Sequence, residues 1–90
     1  MNKASEPILE LLEYSDVALP PSAIVVNLNR MHDDSPARST IYRAFDGLLE
    51  NGLIRTLEID GTYYVITDLG RAYLNGELTD SELKELRDSE

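Results

Sequence analysis

The sequence predicts a mainly helical α+β domain with the order helix, helix, helix, strand, strand, helix, helix. Apolar residues recur at the spacing of amphipathic helices on either side of residues 53–66. Within that segment, Asp60-Gly61 is a strong signal for a tight turn between two runs of β-prone residues. Ninety residues are enough for one hydrophobic core but not for two, so residues 1–90 are expected to form a single domain.

The first two helices are predicted from their starts and their apolar faces. One spans about residues 6–14 with Ser5 as its cap, and its Leu9 either widens the buried face or meets a second chain. Pro20-Pro21 starts the next helix, which runs to about residue 30. Its apolar residues fall on one face: Ile24, Val25 and Leu28.

The third helix is predicted over about residues 36–51. Ser35 is expected to cap it, Pro36 to take its first position, and Gly52 to end it in a left-handed conformation. Apolar residues define its buried side: Ile41, Phe45 and Leu48. A polar stripe lies opposite and beside that side: Arg38, Ser39, Thr40, Tyr42 and Arg43.

A hairpin is predicted over about residues 53–66. A two-residue loop would pair Leu57 with Tyr64 and place both on the same face as Ile66, toward the helices. Two upstream residues are candidates for a small third strand: Val17 and Leu19.

The C-terminal helices are predicted over about residues 67–88. Thr67 caps the first of them, and Asn75-Gly76 ends it. Thr79 and Glu82 have the spacing of a capping box at the start of the last helix.

Three helices followed by a hairpin describe a winged helix-turn-helix, with the helix-turn-helix at about residues 20–51 and the hairpin as its wing. A recognition helix enters the DNA major groove, where Arg pairs with guanine and Ser or Thr contacts bases or phosphates. We therefore expect Arg43 and Ser39 to face the groove. Three more residues are expected beside them: Arg38, Thr40 and Tyr42. The open alternative is a solvated polar face in which Arg43 pairs with Asp46 or Glu50.

Further DNA contacts are predicted outside the third helix. Ser22, in the first turn of the second helix, either meets a phosphate or only supports capping. The wing offers three side chains: Arg55, Thr62 and Tyr63. Because Glu58 and Asp60 make the wing tip acidic, DNA contact by the wing and its absence are both open.

The formal net charge of −9 is unusual for a DNA-binding protein, since most are basic. The many acids, the scarcity of lysine and the lack of cysteine resemble proteins of salt-loving archaea. In molar salt the screening length falls to about 3 Å, which weakens self-repulsion and long-range attraction alike. The alternatives are an ordinary acidic protein that avoids nucleic acid, and a winged-helix module that binds another protein through its acidic surface.

No enzyme, cofactor or metal site is predicted. The chain lacks cysteine and carries none of the phosphate-loop, dinucleotide-binding or nucleophile motifs. His32-Asp33-Asp34 lacks the ligand spacing of a zinc or calcium site and is expected to form a polar turn. No apolar run reaches the roughly 20 residues that cross a bilayer, and the N-terminal residues lack a signal-peptide segment, so a cytoplasmic protein is expected.

A homodimer through the terminal helices is the expected assembly, because it would bury surplus apolar residues and present two recognition helices. The residues expected at this interface are Leu9, Tyr73, Leu83 and Leu86. The alternative is that the last helix folds over the first helix of its own chain.

Two segments carry a family resemblance. Residues 39–43, with the exit Leu-Leu-Glu-Asn-Gly-Leu-Ile at residues 48–54, resemble the recognition helix of MarR/PadR-like winged-helix regulators. Residues 64–78 resemble the "Y-x-I-T-x-x-G-x-x-Y-L-x-G-E-L" ending of haloarchaeal phage-repressor-like winged-helix proteins. The resemblance extends over about residues 8–83. It implies a small haloarchaeal transcription regulator of repressor type that binds double-stranded DNA, and it names no operator and no small-molecule effector.

Overall fold

The structure is a computed structural model that describes residues 2–88, so residues 1, 89 and 90 of the predicted domain lie outside it. The described chain is mainly helical, with one two-stranded antiparallel sheet, and this confirms the predicted α+β class. Its elements in chain order are α1 (Ser5–Ser15), α2 (Pro21–Met31), α3 (Arg38–Glu50), β1 (Ile54–Glu58), β2 (Thr62–Ile66), α4 (Asp68–Leu74) and α5 (Asp80–Asp88).

The core is built around α1, which packs against α2, α3, α4 and the hairpin. Because α1 has neighbours on several sides, its apolar surface is wider than the single apolar face of a helix on the protein surface. Leu9 is fully buried with Ile8 and Leu12. Leu9 therefore widens the core face, and it is not part of an exposed surface that a second chain could contact.

The starts of α1 and α3 differ from the prediction. Ser5 lies inside α1, whose N-cap position is Ala4 and which has no side-chain cap. The Asn2 side-chain oxygen accepts from the Ala4 N–H at 2.8 Å, just before the helix. Ser35 does not cap α3 either, since its hydroxyl donates to the Asn29 side chain at 2.5 Å. The chain stays extended through Ala37, so Pro36 lies before the helix rather than at its first position.

The end of α3 confirms the predicted stop at Gly52, whose φ is +72°. The Gly52 N–H donates to the Leu49 carbonyl at 3.1 Å, and the Leu53 N–H donates to the Leu48 carbonyl at 2.9 Å. This pair of bonds is the Schellman arrangement, which needs a left-handed residue after the helix. It turns the chain directly from α3 into β1.

The hairpin register differs by one residue from the prediction. Leu57 pairs with Tyr63, and Thr56 pairs with Tyr64. The loop has three residues, because Ile59 does not join the ladder: its N–H donates to the Gly61 carbonyl at 3.1 Å. Tyr64 still faces the helices, whereas Leu57 lies on the outer face of the hairpin.

The predicted third strand is reduced to one antiparallel bridge. The Tyr64 N–H donates to the Leu19 carbonyl at 2.8 Å, and the Leu19 N–H donates to the Tyr64 carbonyl at 3.1 Å. The segment before α2 is thereby tied to the hairpin.

The corner between α3 and the hairpin is held by α4. The Thr67 N–H donates to the Leu53 carbonyl at 3.0 Å, and the Thr67 hydroxyl donates to the Gly52 carbonyl at 2.6 Å. The same hydroxyl accepts from the Gly70 N–H at 3.0 Å, which confirms Thr67 as the cap of α4. Gly70 lies so close to this corner that an added Cβ would collide with the Leu53 carbonyl and approach Ile66.

The last helix begins as predicted. Thr79 and Glu82 form the capping box, each accepting from the other's backbone N–H at 3.2 Å. Leu83 is buried in the core of the same chain, so α5 folds back onto its own domain and Leu83 is not available to a second chain. No helix in residues 2–88 combines the length and the apolar character required to cross a membrane.

Two helical glycines should respond oppositely to the same substitution. We expect Gly70→Ala to lower the free energy of unfolding by about 1–3 kcal/mol, because the methyl group overpacks the corner. The matched control is Gly47→Ala in α3, whose Cβ would meet nothing within 4 Å. It should raise the free energy of unfolding by about 0.5–1 kcal/mol, through reduced backbone freedom of the unfolded chain. Urea denaturation measures both values, and a Gly70→Ala variant as stable as the wild type would contradict the close approach.

Candidate nucleic-acid interface

The polar stripe predicted on the third helix lies on the exposed side of α3. Arg38, Ser39, Tyr42 and Arg43 are exposed in its first two turns, while Thr40 is partly buried. The other side of the helix is held in the core by the predicted apolar residues together with Ala44. The structure therefore brings all five predicted residues of α3 to one accessible region, with Thr40 at its edge.

The hairpin side of this region is ordered by aromatic contacts. The Arg38 guanidinium lies 5.2 Å from the centre of the Tyr42 ring, and it donates to the Tyr42 hydroxyl at 3.3 Å. Tyr42 meets Phe45 edge to face at 5.4 Å, and Phe45 lies 4.8 Å from Tyr64 of β2. Burial raises the pKa of Tyr64, and the nearby charge of Asp46 raises it further. The Tyr42 side of α3 therefore faces the hairpin.

Arg43 is not neutralised by a neighbouring carboxylate. Within residues 2–88 it makes no ion pair, so the predicted alternative of pairing with Asp46 or Glu50 is not observed. Glu50 instead lies 3.5 Å from Arg87 of α5. The guanidinium of Arg43 is thus exposed and available for an external partner.

A cleft of about 320 Å³ lies between α3, α5 and the N-terminal end of α1, and is called the α3–α5 cleft below. Three basic side chains line it: Arg43, Lys84 and Arg87. Sequence reasoning missed Lys84 and Arg87. The available signal was the spacing within the last helix, where these bases fall on the side of Leu83, away from Glu82 and Glu85.

The position of α5 beside this cleft is fixed partly by Tyr73 of α4, whose hydroxyl donates to Asp80 at 2.6 Å. This hydrogen bond is the main cause that raises the pKa of Tyr73 to about 12 and lowers the pKa of Asp80. Tyr73 therefore has a partner within its own chain. Of the four residues predicted at a dimer interface, Leu86 is the most exposed, at 49%.

The remaining predicted contacts are dispersed. Ser22 is exposed in the first turn of α2, and it does not support capping, because the N-cap position is Pro20 and no side chain caps this helix. On the hairpin, Thr62 shares a face with Tyr64, whereas Arg55 and Tyr63 lie on the outer face. The three predicted wing residues therefore do not form one contact surface.

One cluster of acidic side chains lies where α1 meets α4. Arg71 of α4 is surrounded there by Glu13 at 2.8 Å, Asp68 at 3.2 Å and Asp16 at 3.4 Å. These four residues lie on α1, on α4 and just after α1, whereas α3 itself exposes Asp46 and Glu50 beyond its first two turns.

His32-Asp33-Asp34 lies in the link between α2 and α3. In the part of the chain that the structure describes, no group of three or more His, Asp or Glu side chains is placed to hold a metal ion.

A comparison with protein-family models, curated proteins and solved structures finds no match for this chain.

The Tyr73–Asp80 hydrogen bond predicts a late tyrosine titration. Because the pKa of Tyr73 is raised from 10.0 to about 12, the stability from this bond is fully present below pH 10 and is lost as the pH rises toward 12. Absorbance of the phenolates in molar KCl, which screens repulsion between acids, should include a step near pH 12 from Tyr73. Asp80→Asn should move that step toward pH 10, while Asp88→Asn at the other end of α5 should leave it unchanged. A step near pH 12 that is the same in the wild type and in Asp80→Asn would contradict this assignment.

Proposed function

We propose that the chain is a winged helix-turn-helix protein that binds double-stranded DNA in a sequence-specific manner and regulates transcription, as a repressor. In this proposal α3 reads the major groove and the hairpin is the wing. The observation that carries it is the exposed Ser39 and Arg43 on a helix whose other side is locked into the core, with Arg43 unpaired within residues 2–88. Guanidinium and hydroxyl groups in the first turns of such a helix have the chemistry to contact base edges.

The arrangement of the elements supports the fold assignment. A short link over residues 32–37 joins α2 to α3, and the Gly52 turn leads directly from α3 into the hairpin. The bridge between Leu19 and Tyr64 joins the segment before α2 to strand β2 of the hairpin. A helix pair followed by a hairpin is the order required for a recognition helix with a wing.

The distribution of charge supports DNA as the partner in spite of the net charge of −9. The acids around Arg71 lie on the α1–α4 side, whereas α3 exposes Arg38 and Arg43 in its first two turns, with its acids Asp46 and Glu50 further along the helix. In the molar salt to which an acidic surface is suited, phosphate attraction is weak. Specificity would then rest on hydrogen bonds to bases and on DNA shape.

A second candidate function is a winged-helix module that binds another protein. The acidic tip of the hairpin favours it, since Glu58 and Asp60 are exposed where a wing would approach the phosphates. Selection from randomised duplex DNA in molar KCl distinguishes the two candidates. Enrichment of a motif supports the DNA proposal, and a palindromic motif would also indicate that two copies bind together. A folded protein that enriches no sequence at any salt concentration would favour the protein-binding module.

Arg43→Ala should weaken binding to the selected sequence by about 1–3 kcal/mol and relax the preference at one base pair, because a bidentate guanine contact is lost. Fluorescence anisotropy with the selected duplex and its single-base variants measures both effects. The matched control is Arg30→Ala, which removes an exposed Arg from α2, where its side chain contacts Asn27. This control should leave the base preference unchanged. Equal affinities of the wild type and Arg43→Ala would exclude Arg43 as a base-reading residue.

A further inference from the structure

We infer that the α3–α5 cleft is a phosphate-binding site, and that Lys84 and Arg87 hold a backbone phosphate of DNA beside the groove that α3 enters. The inference rests on the proposed function and assigns to α5 a role that the hairpin tip is poorly suited to perform. It follows from the position of these two bases, the charges around them and the way in which α5 is held.

The basic residues are concentrated at this cleft. The whole chain has eight Lys and Arg against 17 Asp and Glu, yet three of those eight line a single cleft. Arg43 stands at its α3 edge, so the cleft is continuous with the exposed stripe of that helix. A phosphate bound there would lie directly beside a DNA groove occupied by α3.

Lys84 and Arg87 are not held in strong ion pairs, although one acid lines the cleft with them. Asp80 also lines the cleft, and its carboxylate accepts from the Tyr73 hydroxyl. Arg87 has two partners on the surface, Glu50 at 3.5 Å and Asp88 at 3.8 Å. Exposed ion pairs of this kind are weak and are readily exchanged for another anion. Lys84 makes no ion pair within residues 2–88.

The helix that carries the two bases is held in a defined orientation. Leu83 is buried, the capping box fixes the first turn, and Asp80 is bonded to Tyr73. At about 100° per residue, Lys84 and Arg87 share the side of α5 that faces the cleft. Glu82 and Glu85 lie on the opposite side of α5, away from the cleft, whereas Asp80 lines it.

The chemistry fits a phosphate oxyanion. A guanidinium presents a planar set of donors that matches phosphate oxygens, and the Lys84 ammonium adds a point charge. Among the DNA-flanking elements, the hairpin tip instead presents Glu58 and Asp60, which repel phosphates. The α5 side of α3 is therefore the side on which backbone contact is electrostatically favoured.

The test is the salt dependence of DNA binding. For the wild type and Lys84→Ala, the affinity for the selected duplex is measured over a series of KCl concentrations. Loss of a phosphate contact should reduce the slope of log K against log[KCl] by about 1 and weaken specific and non-specific duplexes equally. The Lys84→Ala/Arg87→Ala double variant should lose at least as much. Glu85→Ala, which removes the neighbouring charge on the opposite side of α5, should leave the slope unchanged, and circular dichroism checks that each variant is folded.

The outcomes separate this inference from the proposed function. One outcome is that the wild type binds DNA while Lys84→Ala and Lys84→Ala/Arg87→Ala keep the wild-type slope of log K against log[KCl]. That result refutes the phosphate site and leaves DNA binding standing. If the wild type binds no DNA, the proposed function fails, and so does the backbone source of the phosphate. Titration with inorganic pyrophosphate, followed by the amide signals of Gly47 and Leu83, then decides the chemistry. Shifts that disappear in Lys84→Ala would indicate a site for a free phosphate compound, and no shifts would overturn the site altogether.

Discussion

The relative positions of α3, the hairpin and α4 depend on the corner at Gly52 and Leu53, where α3 passes into β1. Four hydrogen bonds converge there: two close the end of α3, and two reach back from Thr67 to the carbonyls of the corner. Gly70 completes the arrangement, because only a residue without a Cβ allows α4 to lie this close to the Leu53 carbonyl. The corner thereby fixes the angle between α3, the hairpin and α4. The hydrogen bonds at the end of α3 and those from Thr67 together hold α3 in place, so its exposed side chains have defined positions.

The charged side chains are distributed unevenly over this fold. Arg71 draws three carboxylates together on the α1–α4 side, while Arg43 on the side of α3 and α5 has no acidic partner within residues 2–88. The net charge of the chain therefore does not describe the local charge around Arg71 or around Arg43. A net charge governs solubility and long-range attraction, whereas a groove-binding contact depends on the few groups within a screening length of the duplex. An acidic protein with a locally unpaired guanidinium is consistent with DNA binding at high salt.

Local signals in the sequence were sufficient for much of the fold. The Gly52 stop, the Thr67 cap and the capping box at Thr79 depend on residues only a few positions apart, and all three are confirmed. The predictions were wrong where a more distant residue, or a competing hydrogen bond, determines the local conformation. The Ser35 hydroxyl bonds to Asn29 instead of capping α3, and the loop conformation shifts the hairpin by one residue. The α3–α5 cleft was missed because two bases in the last helix meet Arg43 only through tertiary packing.

The side of the protein that contacts DNA can be mapped directly by NMR. Amide chemical shifts of the uniformly labelled protein, followed during titration with duplex DNA in molar KCl, report this residue by residue. We expect the largest changes over residues 38–43, with further changes at Lys84 and Arg87. Changes confined to the hairpin tip or to the acidic side around Arg71 would contradict this expectation.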